Sequence, residues 1–261
     1  MARSSTDGAV AARVAAAGAG VAATDLPPEV VVVGADAVGL AVQADGHVSV
    51  VKEGPDYWDE ACRHLSRRDR VMKKLIPRFG QARLRTRGDA FTTLARSIVG
   101  QQISVKAAQA VWDRFAKVAD GVGTRIEAAG VCGLQVPQMR EAGLSARKCE
   151  YLLDLARHFA DGSVHVAQWQ TMEDEAIIAE LIAIRGIGRW TAEMFLIFHL
   201  LRPDVLPLDD LGLIKGISLN YFSGESVSRA EAREVGEAWA PYRSVATWYI
   251  WRSLDPVPVE Y

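Results

Sequence analysis

The 261-residue sequence predicts an all-α domain of about nine or ten short helices over residues 55–261, preceded by a low-complexity tail over residues 1–54. From Pro55 onward, apolar residues recur at the three- and four-residue spacing of helices, and strand-like alternation is scarce. Residues 1–54 are rich in Ala and Gly and contain no aromatic residue. We expect this tail to be poorly ordered, with a weak β-hairpin of two short strands over residues 29–51.

The helices of the domain are predicted one by one from apolar spacing. The clearest face joins Phe91, Leu94, Ala95, Ile98 and Val99, which recur at helical intervals. The segment 190–201 is apolar around most of its circumference, so we expect it to be buried. The predicted helices lie within residues 57–65, 69–78, 89–104, 105–119, 146–160, 173–184, 190–201, 230–240 and 243–254.

Several of these helices have a predicted capping residue. Ser104 and Ser145 precede apolar helical runs and are suitable N-caps. Thr171 and Ser228 are each followed three residues later by an acidic residue, which is the spacing of a capping box. We therefore expect these four residues to cap the helices that follow them.

Composition excludes several classes of protein. Hydrophobic residues make up 49% and charged residues 24%, as in ordinary globular proteins. No apolar run reaches the roughly 18 residues of a membrane span, and the Ala/Gly-rich start is too weakly apolar for a signal peptide. The three cysteines and five histidines lack metal-ligand spacing, and His199 is interpreted as a core residue. We expect a cytoplasmic protein that has no metal or cofactor.

The positive charge of the chain is concentrated in one segment, although the net charge is −2. Residues 63–87 contain ten Lys or Arg residues and one acidic residue, Asp69. Such a run is equally consistent with a solvated helix face and with a surface that follows the phosphates of a nucleic acid.

Two short motifs indicate chemistry. In "RGIGR", residues 185–189, Gly186 and Gly188 permit a tight turn between two apolar helices, and backbone N–H groups of such a turn can bind phosphate. A simple helical hairpin with glycine caps is the alternative. The second motif, "PLDDLG", places Asp209 and Asp210 before a helix, where either carboxylate can serve as an N-cap.

Five ordered segments together resemble the DNA-3-methyladenine glycosylase II family of helix-hairpin-helix DNA glycosylases, in its compact form, over about residues 56–255. The resemblance implies a two-lobed helical fold that binds duplex DNA and flips out the damaged base. The segments are "SIVGQQISVKAA" (97–108), "LSARKCEYLLDLA" (144–156), "IRGIGRWTAEMF" (184–195), "DVLPLDDLGL" (204–213) and "YRSVATWYIWR" (242–252).

The resemblance also implies a role for each site residue. Asp210 becomes the catalytic carboxylate, which leaves Asp209 as the structural cap. Gln102 fills the gap left by the flipped nucleotide. The base pocket contains an aromatic pair and a methionine at a position where one member of the family has tyrosine. Trp112, Trp239 and Trp248 are interpreted as core residues. The pocket residues are Trp190, Met194 and Trp251, and the phosphate-binding hairpin comprises Arg185, Gly186, Ile187, Gly188 and Arg189.

The expected activity is hydrolysis of the N-glycosidic bond of alkylated purines, mainly 3-methyladenine, by a monomer. An anion about 4 Å from the developing sugar cation contributes roughly 4 kcal/mol at an effective dielectric constant of 20, or about a thousandfold in rate. Relatives that also cut the strand have a lysine at the position of Trp190, so we expect no lyase activity. Two alternatives stay open: a non-catalytic protein that binds damaged DNA, and a glycosylase for another lesion, such as uracil or an oxidised base.

Overall fold

A computed structural model describes residues 30–31, 39–42, 48–51 and 54–254, apart from positions 81, 87 and 121–125. The chain divides into two units, residues 1–53 and 54–261. In the first unit, β1 (Val30–Val31), β2 (Gly39–Val42) and β3 (Val48–Val51) form an antiparallel sheet in that order. The described residues of the segment 29–51 thus form three strands, whereas two were predicted. The expectation of a poorly ordered tail falls on residues outside those described and stays a prediction.

The second unit confirms the all-α prediction. Its described residues form twelve α-helices, more than the nine or ten expected, because residues 126–144 contain two helices too short to show a periodic pattern. The helices are α1 (Trp58–Arg68), α2 (Arg70–Leu75), α3 (Ala90–Gly100), α4 (Val105–Asp120), α5 (Ala128–Cys132), α6 (Val136–Glu141), α7 (Ala146–Ala160), α8 (Asp174–Ile182), α9 (Arg189–Phe198), α10 (Leu211–Tyr221), α11 (Arg229–Glu237) and α12 (Arg243–Leu254).

These helices pack in two groups, which correspond to the two predicted lobes. Helices α3 to α7 pack against one another. Helices α1, α2, α10, α11 and α12 form the second group, in which α12 contacts α1, α2 and α10. The α8–α9 hairpin contacts the first group where α9 meets α3. The α8–α9 hairpin therefore lies beside the first group of helices, where side chains from distant parts of the sequence can come together.

The apolar faces were predicted well where they are long. All five residues of the predicted α3 face are buried, and Asp89 caps this helix by accepting a hydrogen bond from the Thr92 backbone N–H at 2.9 Å. In α4, Trp112 is buried, as expected of a core residue, and so is Phe115, whereas Ala107 in the first turn is exposed. Helix α9 is buried along most of its length, as its composition predicted.

Three of the four predicted caps are confirmed. Ser104 accepts a hydrogen bond from the Ala107 N–H and Ser145 one from the Lys148 N–H, and Ser228 forms a capping box with Glu231. The Thr171 prediction is wrong. Helix α8 begins at Asp174, and the Thr171 hydroxyl donates instead to the Gln168 carbonyl. The Thr-x-x-acid spacing misled because a turn at residues 168–172 separates Thr171 from the helix.

Candidate active site

The Gly-x-Gly turn connects α8 to α9. Gly186 has a φ of +86°, and a Cβ atom at this position would lie 2.2 Å from Cδ2 of Tyr151. The backbone conformation and the lack of space both require glycine here. Gly188 is the N-cap of α9 and has nothing within 4 Å of the position that a Cβ atom would occupy. The first N–H groups of a helix have no acceptor within it, so this open turn has the geometry of a phosphate-binding site.

The side chains of the predicted phosphate-binding residues have other contacts. The Arg185 guanidinium Nε lies 3.3 Å from Oδ1 of Asp154. The Arg189 guanidinium binds both Glu175 and Glu193, with Nε 3.0 Å from Oε1 of Glu193. The Ile187 side chain is buried in the core. The five residues do form one turn, but its backbone amides are better placed for phosphate than its two guanidiniums.

Asp210 is the N-cap of α10. Its Oδ1 accepts a hydrogen bond from the Leu213 backbone N–H at 2.6 Å. The expectation that Asp209 is the cap is therefore wrong: Oδ1 of Asp209 instead forms an ion pair with the Arg229 guanidinium at 2.7 Å. Adjacent residues at a helix start point in different directions, so only one of them can reach the free amides. The same carboxylate thus caps the helix and occupies the predicted catalytic position, where the positive end of the helix stabilises negative charge.

Two tryptophans from other helices converge on this carboxylate. The indole Nε1 of Trp190, in the first turn of α9, donates to Oδ2 of Asp210 at 2.9 Å. The indole Nε1 of Trp251, near the end of α12, donates to Oδ1 at 2.8 Å. Trp190 remains 41% exposed, so solvent reaches this side of the site. The structure thereby brings together the predicted catalytic residue and two of the three predicted pocket residues.

The third predicted pocket residue and the predicted wedge lie on neighbouring elements. Met194 is half-buried on α9, one turn after Trp190 and on the same side of the helix. Gln102 is exposed in the loop between α3 and α4, and its φ of +59° is unusual for a residue with a side chain. Neighbouring Gln101 donates from Nε2 to the Gly186 carbonyl at 2.9 Å, which joins this loop to the hairpin turn.

Sequence reasoning missed the residues that support Trp251. The Phe198 ring stacks on the Trp251 ring, with centroids 5.6 Å apart and planes 13° from parallel. A Cβ atom at position 212 would lie 3.1 Å from Oδ1 of Asp210 and 3.3 Å from Cδ1 of Trp251. At Gly216, one turn later, a Cβ atom would lie 2.2 Å from Cγ2 of Ile250. The Gly-x-x-x-Gly spacing was the available signal, since it typically permits close helix packing.

A second carboxylate lies in the core beside the hairpin. Glu193 is 5% exposed, and burial raises the pKa of this carboxyl while the Arg189 guanidinium opposes that increase. Among the described residues no group forms a hydrogen bond to its Oε2 atom. Through Arg189, Glu193 helps fix the first turn of α9, which bears Trp190.

The remaining predictions on titratable residues concern histidine and cysteine. His199 is half-buried rather than fully in the core: its ring stacks on Phe195 with centroids 4.6 Å apart, its Nδ1 lies 3.3 Å from the Thr93 hydroxyl, and burial lowers the pKa of its imidazole. All three cysteines are free thiols. Within the described part of the chain, no three His, Cys, Asp or Glu side chains are grouped as metal ligands. None of the helices described there combines the length and apolarity needed to cross a bilayer.

Comparison with known proteins agrees with this geometry. Residues 95–241 match the model of the HhH-GPD superfamily of base excision DNA repair proteins. YfjP of Bacillus subtilis is 31% identical over 169 residues, which are 63% of this chain and 59% of YfjP. The chain thus spans about three fifths of that relative's length.

Two solved structures are also similar. A DNA-3-methyladenine glycosidase from Bacillus halodurans has a TM-score of 0.70 and 34% identity, and the match covers 75% of this chain and 89% of that one. The Schizosaccharomyces pombe 3-methyladenine DNA glycosylase Mag1, in complex with abasic DNA, has a TM-score of 0.63 and 31% identity over 74% and 96% of the two chains. With the hairpin, the aspartate-capped helix and more than half of its length matched, the chain belongs to the HhH-GPD superfamily of base excision DNA repair proteins.

Proposed function

We propose that this protein is a monofunctional DNA glycosylase that hydrolyses the N-glycosidic bond of alkylated purines, chiefly 3-methyladenine, in duplex DNA. One observation carries the proposal: the Asp210 carboxylate lies at a helix N-terminus, receives two indole N–H bonds and one backbone N–H bond, and borders an exposed tryptophan face. Similarity to proteins named for 3-methyladenine supports the substrate class. The protein would act as a cytoplasmic monomer on nucleoid DNA.

The held carboxylate fits the chemistry of this reaction. When the C1′–N bond breaks, both electrons leave with the base, so an alkylated cationic base departs as a neutral molecule. Positive charge develops on the sugar, and an anion fixed beside it stabilises the transition state. Water then adds to C1′ and its extra proton is lost to solvent, which leaves an abasic site. Three donors keep Asp210 in place, so little reorganisation is needed as the charge develops.

The two indoles would have a second role toward the base. Each donates through the edge of its ring, which leaves ring faces for other contacts, although Phe198 covers one face of Trp251. Stacking on an aromatic ring contributes about 1–3 kcal/mol per base, and a cationic base gains further attraction to the π-electrons. Trp190, the more exposed of the pair, is the better stacking surface.

The absence of lyase activity in this proposal follows from the groups around the carboxylate. A lyase needs an amine that forms a Schiff base with the sugar. The groups that hydrogen-bond to Asp210 in the described structure are two indoles and a backbone amide, none of which is such a nucleophile. Trp190 occupies the hairpin position expected for the lysine of strand-cutting relatives. We therefore expect release of the base without strand cleavage.

The first experiment measures base release from methylated duplex DNA by the wild type, Asp210→Asn and Asp209→Asn. Asparagine caps helices well, so Asp210→Asn removes the charge and keeps the fold. Asp209→Asn is the matched control, because Asp209 forms only a surface ion pair among its described contacts. We expect release of 3-methyladenine by the wild type and the control, a loss of about a thousandfold for Asp210→Asn, and strand breaks only after alkali.

Other outcomes would contradict parts of this proposal. Wild-type rates for Asp210→Asn would remove Asp210 from catalysis. Strand breaks without alkali, with a borohydride-trapped DNA adduct, would show a lyase. Release of uracil or an oxidised base in place of 3-methyladenine would change the substrate class, and DNA binding without release of any base would favour the non-catalytic alternative.

A further inference from the structure

One face of α7 contacts both predicted DNA-binding segments. Lys148, Tyr151 and Asp154 are spaced by three residues and so lie along the same side of the helix. We call these three residues the α7 row. The Lys148 ammonium donates to the Val99 and Gln101 carbonyls, at 2.7 and 2.9 Å, at the end of α3. The loop that begins there, residues 101–104, contains the predicted wedge Gln102 and is called the wedge loop.

The other two members of the row contact the hairpin turn. The Tyr151 ring occupies the space that a side chain at position 186 would need. Oδ2 of Asp154 accepts the Arg185 backbone N–H at 2.9 Å. The hairpin turn therefore rests on two successive turns of α7, directly after the turn that bears Lys148.

The wedge loop and the hairpin turn also touch directly. The hydrogen bond from Gln101 to the Gly186 carbonyl closes a ring of contacts through α7, the loop and the turn. Directly after Gln101, and so next to this ring, lies the left-handed backbone of the exposed Gln102, a conformation that persists only where its surroundings hold it. Burial lowers the pKa of the half-buried Lys148, so the protein holds a partly desolvated ammonium at the end of α3, where the helix carbonyls favour positive charge.

We propose that the α7 row is a positioning element, with Lys148 as its key residue, that fixes the wedge Gln102 relative to the phosphate-binding hairpin. This inference rests on the proposed function. A wedge can replace a flipped base only if it enters the duplex at a set distance from the phosphates held by the hairpin, and a rigid support sets that distance before DNA arrives. Lys148 touches neither the base nor the sugar in this scheme; it acts through Gln101 and Gln102.

The test compares Lys148→Met, which removes the donor, with Lys148→Arg, which restores it, and with Lys117→Met, an exposed lysine on α4. All are made in the Asp210→Asn protein, so no chemistry interferes. Flipping is read from the fluorescence of 2-aminopurine placed beside a hydrolysis-resistant 3-methyladenine analogue. We expect Lys148→Met to lower the flipping constant about tenfold, Lys148→Arg to recover most of it, and all three to bind undamaged duplex alike.

A second readout needs no DNA. Amide hydrogen exchange in the free protein should accelerate at residues 99–104 and 184–188 in Lys148→Met, while the Lys117→Met control stays unchanged. Gln101→Leu removes only the hydrogen bond between the loop and the Gly186 carbonyl, so the same amides should exchange faster, but by less. This variant replaces Lys148→Met in the test if Lys148→Met does not fold. Two results would overturn the inference. One is amide exchange in Lys148→Met that equals the exchange in the parent protein. The other is an unchanged flipping constant in Lys148→Met when the Asp210→Asn parent gives a clear fluorescence signal. If amide exchange accelerates in Lys148→Met but the Asp210→Asn parent does not flip the 3-methyladenine analogue, the result counts against the proposed substrate and not against the positioning role.

Discussion

Helix α10 has an aspartate-centred cluster of hydrogen bonds at each end. At its N-terminus, Asp210 receives the Leu213 N–H and the indoles of Trp190 and Trp251. At its C-terminus, Tyr221 donates its hydroxyl to Oδ2 of Asp69 at 2.7 Å. Asp69 also accepts the Trp239 indole N–H at 3.1 Å and two backbone N–H groups of α2, from Val71 and Met72. Both aspartates cap a helix and both bind aromatic donors.

The two clusters differ in their access to solvent. Asp69 is 8% exposed and Trp239 is fully buried, whereas Trp190 beside Asp210 is 41% exposed. Burial, followed by the charge of Asp69, raises the pKa of Tyr221, so this hydroxyl stays protonated and donates. A similar combination of backbone and aromatic donors thus supports the fold where the cluster is buried and is available for chemistry where it is exposed. The pattern of hydrogen bonds alone therefore does not distinguish a functional site from a cluster that only stabilises the fold.

The largest expected difference between the two clusters is tested by replacing the aspartate with asparagine at each end of α10. Asp210→Asn should lower excision about a thousandfold with little effect on the free energy of unfolding. Asp69→Asn turns an amide toward the Tyr221 and Trp239 donors and should destabilise the fold by about 2–3 kcal/mol. Thermal melts and single-turnover excision, normalised to folded protein, measure both. Equal loss of excision per folded molecule in the two variants would refute the structural role given to Asp69.

The two indole donors should have smaller effects. Trp251→Phe removes a hydrogen bond to the Asp210 carboxylate but keeps an aromatic ring, and a bond to a charged group contributes about 1.5–3 kcal/mol. We expect roughly tenfold slower excision, and a smaller decrease for the more exposed Trp190→Phe. Trp248→Phe, in the packed ring cluster around Trp58, is the matched control. If Trp251→Phe excised as fast as this control, the indole bonds would not position Asp210.

The smallest expected effect concerns the basic segment, residues 63–87, which contains Asp69 of the buried cluster. Asp69, its one acid, is buried, while Arg67, Arg68, Lys73 and Lys74 are exposed. The eleven-residue α10, about 16 Å long, connects Asp210 at its N-terminus to the Asp69 cluster at its C-terminus. If the face follows phosphates, replacing Arg67 and Arg68 by Gln should reduce the slope of log affinity against log salt by about 0.9 per lost contact.

The rate at saturating DNA should stay unchanged in that double variant. Arg233→Gln together with Lys117→Gln makes the same change of charge at exposed positions outside the segment. A slope equal to that of this control pair would favour the solvated helix face.

Several elements could be predicted because their causes are local. The α3 face and the Ser145 and Ser228 caps depend on spacing within one or two turns. Helices α5 and α6 escaped prediction because five or six residues show no period, and Thr171 misled because capping depends on where the chain turns. The family followed from ordered motifs, and so did the proposal that Asp210 is the catalytic residue, whereas the choice of cap between Asp209 and Asp210 did not.

The sequence by itself determined the helical class, the tight turn at Gly186 and the identity of the groups available for catalysis, since these depend on residue type and short-range order. Only the tertiary structure decided what those groups contact. Trp190, Asp210 and Trp251 are separated by up to 61 residues, and their hydrogen bonds exist because α9, α10 and α12 meet. The packing of α8 against α9 likewise brought Glu175 to Arg189, and tertiary packing buried Asp69, because the energy of a charged group depends on the neighbours that folding supplies.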